Sequence, residues 1–295
     1  MEDKLRVGIQ KKGRLAEKSL KLFQKCGFEF ENYSNSLSLP CLNFPLELIM
    51  LRDDDIPTYV GESVCDFGIV GENIFLERIY NESLNGPVPL KELDLPFGKC
   101  RMSLAFPEEK DPSALGDLNG KTIATTYPQI LRNFLRERNI ECQIIYQQGS
   151  VEVATGLGIA DGIFDIVSTG NTLRANKLKE SLEVRKINSI LIQSPTDKNQ
   201  KKRELSFQLL ERIKSSLLSE VSRYLMMNVP KGKLAEILEV LPGVDGPSVL
   251  NLKGNSEKVA IHAVTKETIL WEKMAELKRL GASSILVSPI EKMVE

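Results

Sequence analysis

Residues 160–173, which read ADGIFDIVSTGNTL, decide how we interpret the whole 295-residue chain. Apolar residues at 163–164 and 166–167 lie among glycine and small polar residues, a pattern that predicts a short buried strand. The small polar residues that follow predict a tight loop and the start of a helix. In such a loop the backbone N–H groups of residues 169–172 lack partners within the helix, and the positive end of the helix dipole favours an anion. The stretch therefore predicts a phosphate-binding strand–loop–helix unit of an α/β fold.

The side chains of this stretch suit a sugar phosphate. Gly170 allows the backbone to approach a ligand closely, and Asp161 and Asp165 can accept hydrogen bonds from sugar hydroxyls or hold a hydrated Mg²⁺. The hydroxyl donors of the loop are Ser168, Thr169 and Thr172. The order D-h-h-S-T-G-x-T, in which h is apolar, resembles the phosphoribosyl-pyrophosphate loop of phosphoribosyltransferases. An ordinary strand-to-helix turn with a capping threonine is the alternative that this stretch alone leaves open.

The composition is that of a globular protein with balanced charge. Hydrophobic residues make up 42% of the chain and charged residues 27%, enough for a sizeable core, and the length predicts two or three domains. The 39 basic and 40 acidic residues give no support for a nucleic-acid or membrane surface, since either favours a basic excess. The amino terminus enters a strand without an apolar signal segment, so we expect a cytoplasmic protein. The five widely spaced cysteines are expected to be reduced thiols, and none has metal-ligand spacing.

Polar loops follow the predicted strands at 6–9, 46–51 and 64–70. Ligands bind at the carboxyl ends of strands in α/β folds, so these loops supply candidate binding residues. The candidates in these loops are Lys11, Gly13, Arg14, Arg52, Gly71 and Glu72. Three consecutive aspartates at 53–55 suit a role near Mg²⁺ or in orienting Arg52, but also suit the first turn of a helix. A solvated surface loop is an equally good interpretation of the basic residues at 10–14.

The order of predicted elements indicates a two-lobed core followed by a smaller domain. We expect lobe I to comprise residues 1–96 and 180–200, lobe II residues 97–179, and a cleft to lie between them, with a strand at 184–192 returning the chain to lobe I. A polar linker is expected at 196–203, and apolar residues at every fourth position from Leu205 to Leu225 predict a linker helix, assigned to 201–223. Residues 224–295 follow a βαββαβ order, typical of a ferredoxin-like, ACT-like sensing domain. The only histidine, His262, lies in one of these strands, and we interpret it as structural.

Six motifs in one order carry a resemblance to a known family. They are K-x-G-R-L at 11–15, L-R-D-D-D-I-P at 51–57, D-x-G-I-x-G-E-N at 66–73, G-S-V-E-V at 149–153, D-x-V-S-T-G-x-T-L at 165–173 and G-A-S-S-I-L-V-x-P-I-E-K-M at 281–293. Together they make the chain similar, over its whole length, to the long form of ATP phosphoribosyltransferase. One departure is that Thr155 and Gly156 stand where that family usually has proline and arginine.

The resemblance implies a type II periplasmic-binding-protein-like catalytic core. It also implies an enzyme that catalyses the first step of histidine biosynthesis. Adenine N1 of ATP would attack the anomeric carbon of phosphoribosyl pyrophosphate, and pyrophosphate would leave with the help of Mg²⁺. The expected catalytic residues are Arg14, Asp165 and Thr169. The 5′-phosphate is assigned to Ser168, Thr169, Gly170, Asn171 and Thr172, the ribose hydroxyls to Asp165 and Asp161, and the other phosphates to Lys11, Arg14 and Arg52. Asp66, Gly71 and Glu72 are expected in the wall of the cleft, with Gly13 and Glu152 as further substrate contacts.

The resemblance also implies regulation by the carboxyl-terminal domain. Enzymes of the long form are inhibited by histidine and assemble from dimers into hexamers. The candidate histidine contacts in this chain are Asn228, Ser248, Ala282 and Ser283. Two competing functions stay open on the residues alone. One is a solute-binding module of the same fold, which should carry an export signal and lack the phosphate loop; the other is a regulatory subunit that has lost activity.

Overall fold

The computed structural model describes residues 4–31, 36–81, 83, 86–110, 112, 115–196, 199–241 and 246–293. Its internal contacts divide the chain into two compact units, the first formed by 1–24 and 28–206 and the second by 25–27 and 207–295. Within the described ranges, the helices are all too short or too polar to cross a bilayer.

The first unit is α/β, with two sheets. Its strands are β1 Leu5–Gln10, β2 Ser38–Pro40, β3 Leu46–Leu51, β4 Phe67–Gly71, β5 Leu90–Asp94, β6 Cys100–Pro107, β7 Thr122–Thr125, β8 Gln143–Tyr146, β9 Gly162–Val167, β10 Leu178–Ile187 and β11 Ser189–Gln193. Its helices are α1 Arg14–Lys25, α2 Ile56–Gly61, α3 Glu72–Ile79, α4 Pro128–Arg136, α5 Glu152–Gly156 and α6 Asn171–Ala175, and α7 Gln200–Val221 continues into the second unit.

Lobe I is built on a sheet with the strand order β2-β3-β1-β4-β11-β5. Its strands β1, β3 and β4 are parallel, with Val7 opposite both Leu48 and Phe67. These three side chains are fully buried, as expected for parallel strands that are covered on both faces. Because parallel strands point the same way, the loops after β1, β3 and β4 all lie at one edge of the sheet.

Lobe II repeats this arrangement in a sheet with the order β10-β6-β9-β7-β8. Strands β7, β8 and β9 are parallel, whereas β6 and β10 run antiparallel to their neighbours. The loop after β9 therefore lies beside the loops after β7 and β8. The two sheets confirm the predicted two-lobed core of the periplasmic-binding-protein type.

The return of the chain to lobe I differs from the sequence prediction. We predicted one strand at 184–192 and placed the lobe boundary at 180, but the structure has two strands that part at Asn188. Ile187 pairs with Cys100 in the sheet of lobe II, and Ser189 pairs with Gly71 in the sheet of lobe I. Strand β10 could not be recognised from the sequence pattern, because its pairing with β6 has two register shifts. These shifts interrupt the alternation of buried and exposed residues.

The two lobes share a hydrophobic core that includes residues of α3 and α4. Across this junction the Glu77 carboxylate accepts hydrogen bonds from the backbone N–H groups of Gln129 and Ile130, at 2.8 and 3.0 Å. Burial raises the pKa of Glu77 despite these two bonds. The carboxylate caps the first turn of α4 from the other lobe, so it fixes the angle at which the two helices meet.

The second unit has the predicted ferredoxin-like order. Its strands are β12 Ser222–Pro230, β13 Ser248–Asn251, β14 Lys258–Lys266 and β15 Ser283–Pro289, and its helices are α8 Leu234–Val240 and α9 Glu267–Arg279. The sheet is antiparallel with the order β13-β14-β12-β15, and Leu225, Met227 and Ile261 pack in its core with residues of both helices.

The boundaries of α7 correct one prediction. The helix begins at Gln200, inside the stretch 196–203 that we interpreted as a linker, and it ends at Val221, close to the end predicted at 223. Leu225 is fully buried in β12. Its four-residue spacing from Val221 is equally compatible with an alternating strand, so the apolar pattern continued across the end of the helix.

Asp66 lies at the amino end of β4, away from the loops at the carboxyl ends. Its carboxylate accepts a hydrogen bond from the Arg6 N–H at 2.9 Å and pairs with the Lys202 ammonium at 3.0 Å. The residue is only 6% exposed, so its charge depends on these two partners. Asp66 thereby holds the start of α7 against the sheet of lobe I.

We predict that Lys202→Ala destabilises the protein without affecting the cleft directly. The expected loss in free energy of unfolding is about 1–2 kcal/mol, because a buried carboxylate loses its partner while the lysine itself is 28% exposed. Chemical denaturation compares this variant with Lys214→Ala, which removes an exposed lysine of the same helix. Equal stability of the two variants would contradict the assignment.

Candidate active site

The loops after β1 and β3 form one side of the cleft. They are joined by a hydrogen bond from the Lys11 N–H to the Leu51 carbonyl (2.8 Å) and by one from Gln10 Nε2 to Asp53 Oδ2 (3.2 Å). Arg52 follows Leu51 directly, so its cationic side chain and that of Lys11 originate from neighbouring strands. The structure brings these predicted residues together at one edge.

Gly13 and Arg14 complete this side. Gly13 has φ +97°, a backbone conformation that L side chains rarely adopt, and it turns the chain from β1 into α1. Arg14 is the first residue of α1 and is exposed. An exposed guanidinium at the carboxyl edge of the sheet is placed to meet an anion.

The end of β4 forms the next part of the wall. Gly71 precedes Glu72, the first residue of α3, and the Glu72 N–H donates to the Asn188 carbonyl at 2.9 Å. The Glu72 carboxylate lies 3.4 Å from both the Lys91 ammonium and the Arg185 guanidinium. Because Arg185 belongs to β10, this ion pair links lobe I to lobe II.

The predicted phosphate loop of lobe II, residues 168–172, has the predicted strand–loop–helix form. Strand β9 ends at Val167, Gly170 adopts φ +74°, and α6 begins at Asn171. Arg174 folds back over the loop, donating from Nη2 to the Thr169 carbonyl at 3.1 Å and to Asn171 Oδ1 at 2.5 Å. The exposed residues of the loop are Ser168, Thr169, Asn171 and Thr172. Their hydroxyl and amide groups are therefore accessible to a ligand.

Asp165 lies in β9, three residues before the loop. Its Oδ1 accepts the N–H of Ile166 at 2.7 Å. Burial and, to a smaller extent, the negative charge of Glu152, the first residue of α5, together raise the pKa of Asp165 to about 6. Asp165 and Glu152 are thus close enough to influence each other, as expected for two residues of one site.

Tyr127 shows that the two sides of the cleft meet. It follows β7 in lobe II, is buried, and its hydroxyl accepts a hydrogen bond from Asn73 Nδ2 of lobe I at 3.2 Å. Burial raises the pKa of Tyr127, and so do the nearby charges of Asp165, Asp54 and Asp53. The tyrosine therefore stays neutral among carboxylates that come from both lobes.

Two predicted residues are not brought to the cleft. Asp161 precedes β9 and its Oδ2 accepts the Thr122 N–H at 2.9 Å, at the end of the sheet opposite the phosphate loop. Asp66 occupies the corresponding place in lobe I, where it accepts the Arg6 N–H. Each carboxylate holds the start of a neighbouring parallel strand, a position that the sequence motif does not distinguish from the cleft.

Three residues of the site were missed in the sequence: Asn73, Tyr127 and Arg101. Tyr127 lies two residues after β7, at the carboxyl end of a strand like the other cleft loops, and that position is the signal that could have identified it. Arg101 of β6 donates from Nη1 to the Ser168 carbonyl at 3.1 Å. It could not be identified in the same way, because β6 is antiparallel to β9 and Arg101 lies at the beginning of its strand.

The acidic residues do not form a preformed metal centre. Among the residues that the structure describes, no group of three or more His, Cys, Asp or Glu side chains is arranged to hold a metal ion. Burial raises the pKa of Asp54, and the adjacent charges of Asp53 and Asp55 add to this effect. One or two of these carboxylates are available to an ion that also has phosphate ligands, which is the usual coordination of Mg²⁺.

The candidate effector residues of the second unit are only partly brought together. Ser283 Oγ donates to the Asn228 carbonyl at 3.3 Å and accepts from Lys258 Nζ at 3.2 Å, and Ala282 directly precedes it. Ser248 lies on the edge strand β13 opposite His262, on the far side of β14 and β12 from β15. His262 contacts the Tyr224 hydroxyl through Nδ1.

A family model described as HisG, ATP phosphoribosyltransferase, matches residues 52–215. The model of the HisG C-terminal domain matches residues 220–292. The chain belongs to the ATP phosphoribosyltransferase family. This assignment makes it a phosphoribosyltransferase of histidine biosynthesis and agrees with the order of the sequence motifs.

One similar solved structure supports the family assignment, and a second shows a weaker similarity. A chain of the ATP phosphoribosyl transferase (HisG:HisZ) complex from Thermotoga maritima is 31% identical, with a TM-score of 0.59, over 71% of this chain and 96% of that one. The alkanesulfonate-binding protein SsuA from Xanthomonas axonopodis pv. citri is 13% identical, with a TM-score of 0.46, over 72% of each chain.

We predict that Gly170→Val abolishes most activity while the protein stays folded. Valine is strained at φ +74° and its Cβ would lie 3.2 Å from Arg174 Nη1, so the loop has to move. Losing one donor to a charged phosphate costs about 1.5–3 kcal/mol, or roughly 10–100-fold in kcat/KM. The matched control is Gly158→Val, which has φ +69° but open space around the added Cβ. Similar losses in both variants would remove the loop from the site.

We also predict that activity rises with pH as Asp165 ionises. Only the carboxylate accepts hydrogen bonds from sugar hydroxyls at both oxygens, so kcat/KM should increase through a pH of about 6. Glu152→Gln removes a neighbouring negative charge and should move this rise to lower pH, whereas Glu141→Gln should leave its midpoint unchanged. The idea fails if the pH profile is flat between 5 and 7 in the wild-type protein.

Proposed function

We propose that this protein condenses ATP with phosphoribosyl pyrophosphate to give N1-(5-phosphoribosyl)-ATP and pyrophosphate. The observation that carries the proposal is the meeting of two sets of loops at Tyr127. Basic residues lie on the side of lobe I, and the phosphate loop with its left-handed Gly170 lies on the side of lobe II. Two substrates that each carry several phosphate groups need such a pair of anion-binding surfaces facing each other.

Each side of the cleft suits one part of the substrates. The 5′-phosphate fits the loop from Ser168 to Thr172, and the ribose hydroxyls fit Asp165, which is mostly ionised at neutral pH. Lys11, Arg14 and Arg52 are the candidates for pyrophosphate or the phosphates of ATP. The remaining candidates, Gly13, Gly71, Glu72 and Glu152, contribute the shape and polarity of the cleft wall.

The reaction needs little covalent chemistry from the protein. Adenine N1 carries a free lone pair, so no serine, cysteine or histidine nucleophile is required. The protein has to align N1 with the anomeric carbon and to stabilise the charge of the leaving group, by positioning and preorganised electrostatics. Exposed cations on lobe I and backbone N–H groups on lobe II supply these interactions.

Mg²⁺ fits this site as an ion carried by the substrate. The oxygen donors of Asp53 and Asp54 match its preference, and the absence of a three-ligand cluster among the described residues suits an ion whose other ligands are phosphates. Bound there, Mg²⁺ would neutralise part of the charge of the departing pyrophosphate.

The proposed reaction is tested by mixing the protein with ATP, phosphoribosyl pyrophosphate and Mg²⁺. We expect a rise in ultraviolet absorbance from the adduct, which requires all three components. Arg14→Ala should lower kcat/KM by roughly 10–100-fold if its guanidinium binds phosphate, since hydrogen bonds to charged groups contribute about 1.5–3 kcal/mol. Lys18→Ala, an exposed cation one turn further along α1, is the control. A wild-type protein that forms no adduct would contradict the proposal.

We further propose that free histidine binds the second unit and inhibits the enzyme, in a homo-oligomer built from dimers to hexamers. Asn228, Ala282 and Ser283 lie together at one side of the sheet, and this polar group is the observation that favours the idea. The face of the sheet opposite α8 and α9 exposes Leu250 and Leu286, at 52% and 58%. Pairing of such faces between subunits buries them and builds a pocket.

Histidine inhibition predicts a specific effect of Ser283→Ala. Inhibition requires tighter binding of histidine to the less active state, with a typical coupling of about 1–3 kcal/mol, or 5–150-fold. Ser283→Ala should raise the half-inhibitory histidine concentration without changing activity in the absence of histidine. Ser288→Ala, in the same strand, is the control. Indifference of the wild-type protein to millimolar histidine would contradict this regulation.

A further inference from the structure

We propose that Arg101 is a positioning residue that orients the phosphate loop through its backbone. The proposal rests on the proposed function, because it deals with the loop assigned to the 5′-phosphate. Arg101 itself is not placed to contact the substrate in this role. It acts on the peptide group between Ser168 and Thr169.

The position of Arg101 follows from the pairing of β6. Arg101 lies opposite Val167, the last residue of β9, and on its other side lies opposite Lys186 of β10. Its side chain therefore emerges where β9 gives way to the loop. There Nη1 donates a hydrogen bond of 3.1 Å to the Ser168 carbonyl.

The guanidinium is held in place by Glu180. Arg101 Nε donates to Glu180 Oε1 at 2.5 Å and Nη2 donates to Oε2, a bidentate arrangement with fixed geometry. Ser103, which is 1% exposed, donates from Oγ to Glu180 Oε1 at 2.7 Å. The hydrogen bonds from Arg101 hold the pKa of Glu180 below its usual range, so the carboxylate stays charged.

Anchoring the Ser168 carbonyl determines where the next N–H points. In a trans peptide the C=O and the following N–H point in opposite directions, and the described residues contain no cis peptide bond. With its carbonyl turned toward Arg101, the Ser168–Thr169 peptide directs the Thr169 N–H away from Arg101. Arg174 anchors the Thr169 carbonyl in the same way, which sets the direction of the Gly170 N–H.

Two arginines thus fix consecutive peptide groups of the loop. Donors that are already oriented stabilise a bound anion without a further cost of ordering. Arg174 lies within the helix that the loop begins, whereas Arg101 connects the loop to the rigid sheet through Glu180 and Ser103. Loss of Arg101 should therefore release the loop from the sheet while α6 stays formed.

A comparison of Arg101 with Lys186 separates the effect of the hydrogen bond to Ser168 from the effect of a nearby positive charge. Both line one cavity of about 420 Å³ beside the loop, together with Ser168 and Lys99. Lys186 pairs with Glu183 at 3.9 Å, and its side chain is 85% exposed. Removing either side chain takes away one positive charge, but only the removal of Arg101 breaks the contact with Ser168.

The test uses steady-state kinetics of the full-length variants Arg101→Met, Arg101→Lys, Glu180→Gln and Lys186→Met. We expect Arg101→Met to raise the KM for phosphoribosyl pyrophosphate by up to about 100-fold, the effect of displacing a binding group by roughly 1 Å, while the KM for ATP stays unchanged. Glu180→Gln should show a smaller rise, because the guanidinium loses its bidentate partner. Arg101→Lys should also fall between Arg101→Met and wild type, since an ammonium cannot reproduce the planar fork. Lys186→Met should match wild type.

Calorimetric titration with phosphoribosyl pyrophosphate alone provides a readout that does not require turnover. The proposal is overturned if Arg101→Met binds this ligand as wild type does, or if Lys186→Met weakens binding equally. It is also overturned if Arg101→Met lowers only the melting temperature, since that result indicates a purely structural role. If the wild-type protein forms no adduct but binds the ligand, and Arg101→Met weakens that binding, the reaction is contradicted and this inference is supported. A wild-type protein that does not bind the ligand contradicts both.

Discussion

Main-chain hydrogen bonding between parallel strands is the constraint on which the cleft depends. Pairing of β1 with β3 and β4 brings Lys11 and Arg52 to one edge of lobe I, and pairing of β7, β8 and β9 does the same for the phosphate loop in lobe II. A shift of one residue in the register would move Val7 to the opposite face of the sheet and displace every loop along the edge. The burial of the strands therefore stabilises the geometry of the site as well as the fold.

The electrostatics of the cleft oppose folding in places where they favour ligand binding. Asp165 has a folded-state pKa of about 6 against 3.8 for an ordinary aspartate, so its ionisation lowers stability as the pH rises from 3.8 through about 6. Tyr127 stays neutral between carboxylates of both lobes. A bound cation, or a ligand hydroxyl that donates a hydrogen bond to one of these carboxylates, would reduce the repulsion between them. Binding of such a ligand would therefore stabilise the folded protein.

Much of the architecture and most of the cleft could be predicted from the sequence, because strand ends, glycine turns and motif order are local features. Positions such as Asp66 and Asp161 could not be predicted, since a motif does not show at which end of the sheet a side chain lies. The Arg101–Glu180 pair depends on antiparallel pairing of residues 79 positions apart, beyond any local pattern. The four-residue apolar spacing that predicted the linker helix runs on to Leu225 in β12, because one spacing suits both helix and strand.

Asn188 is the single residue between β10, in the sheet of lobe II, and β11, in the sheet of lobe I. Its backbone carbonyl accepts the Glu72 N–H, and its side-chain amide donates to Asp94 Oδ1 and the Leu95 carbonyl, so this residue is fastened to lobe I while Ile187 is fastened to lobe II. The other crossing passes Gly98, where φ is +71° and an added Cβ would lie 2.2 Å from Ser189 Oγ. Because the chain crosses between the lobes at these two adjacent points, any rotation between the lobes has to be absorbed by the backbone torsions around Asn188 and Gly98.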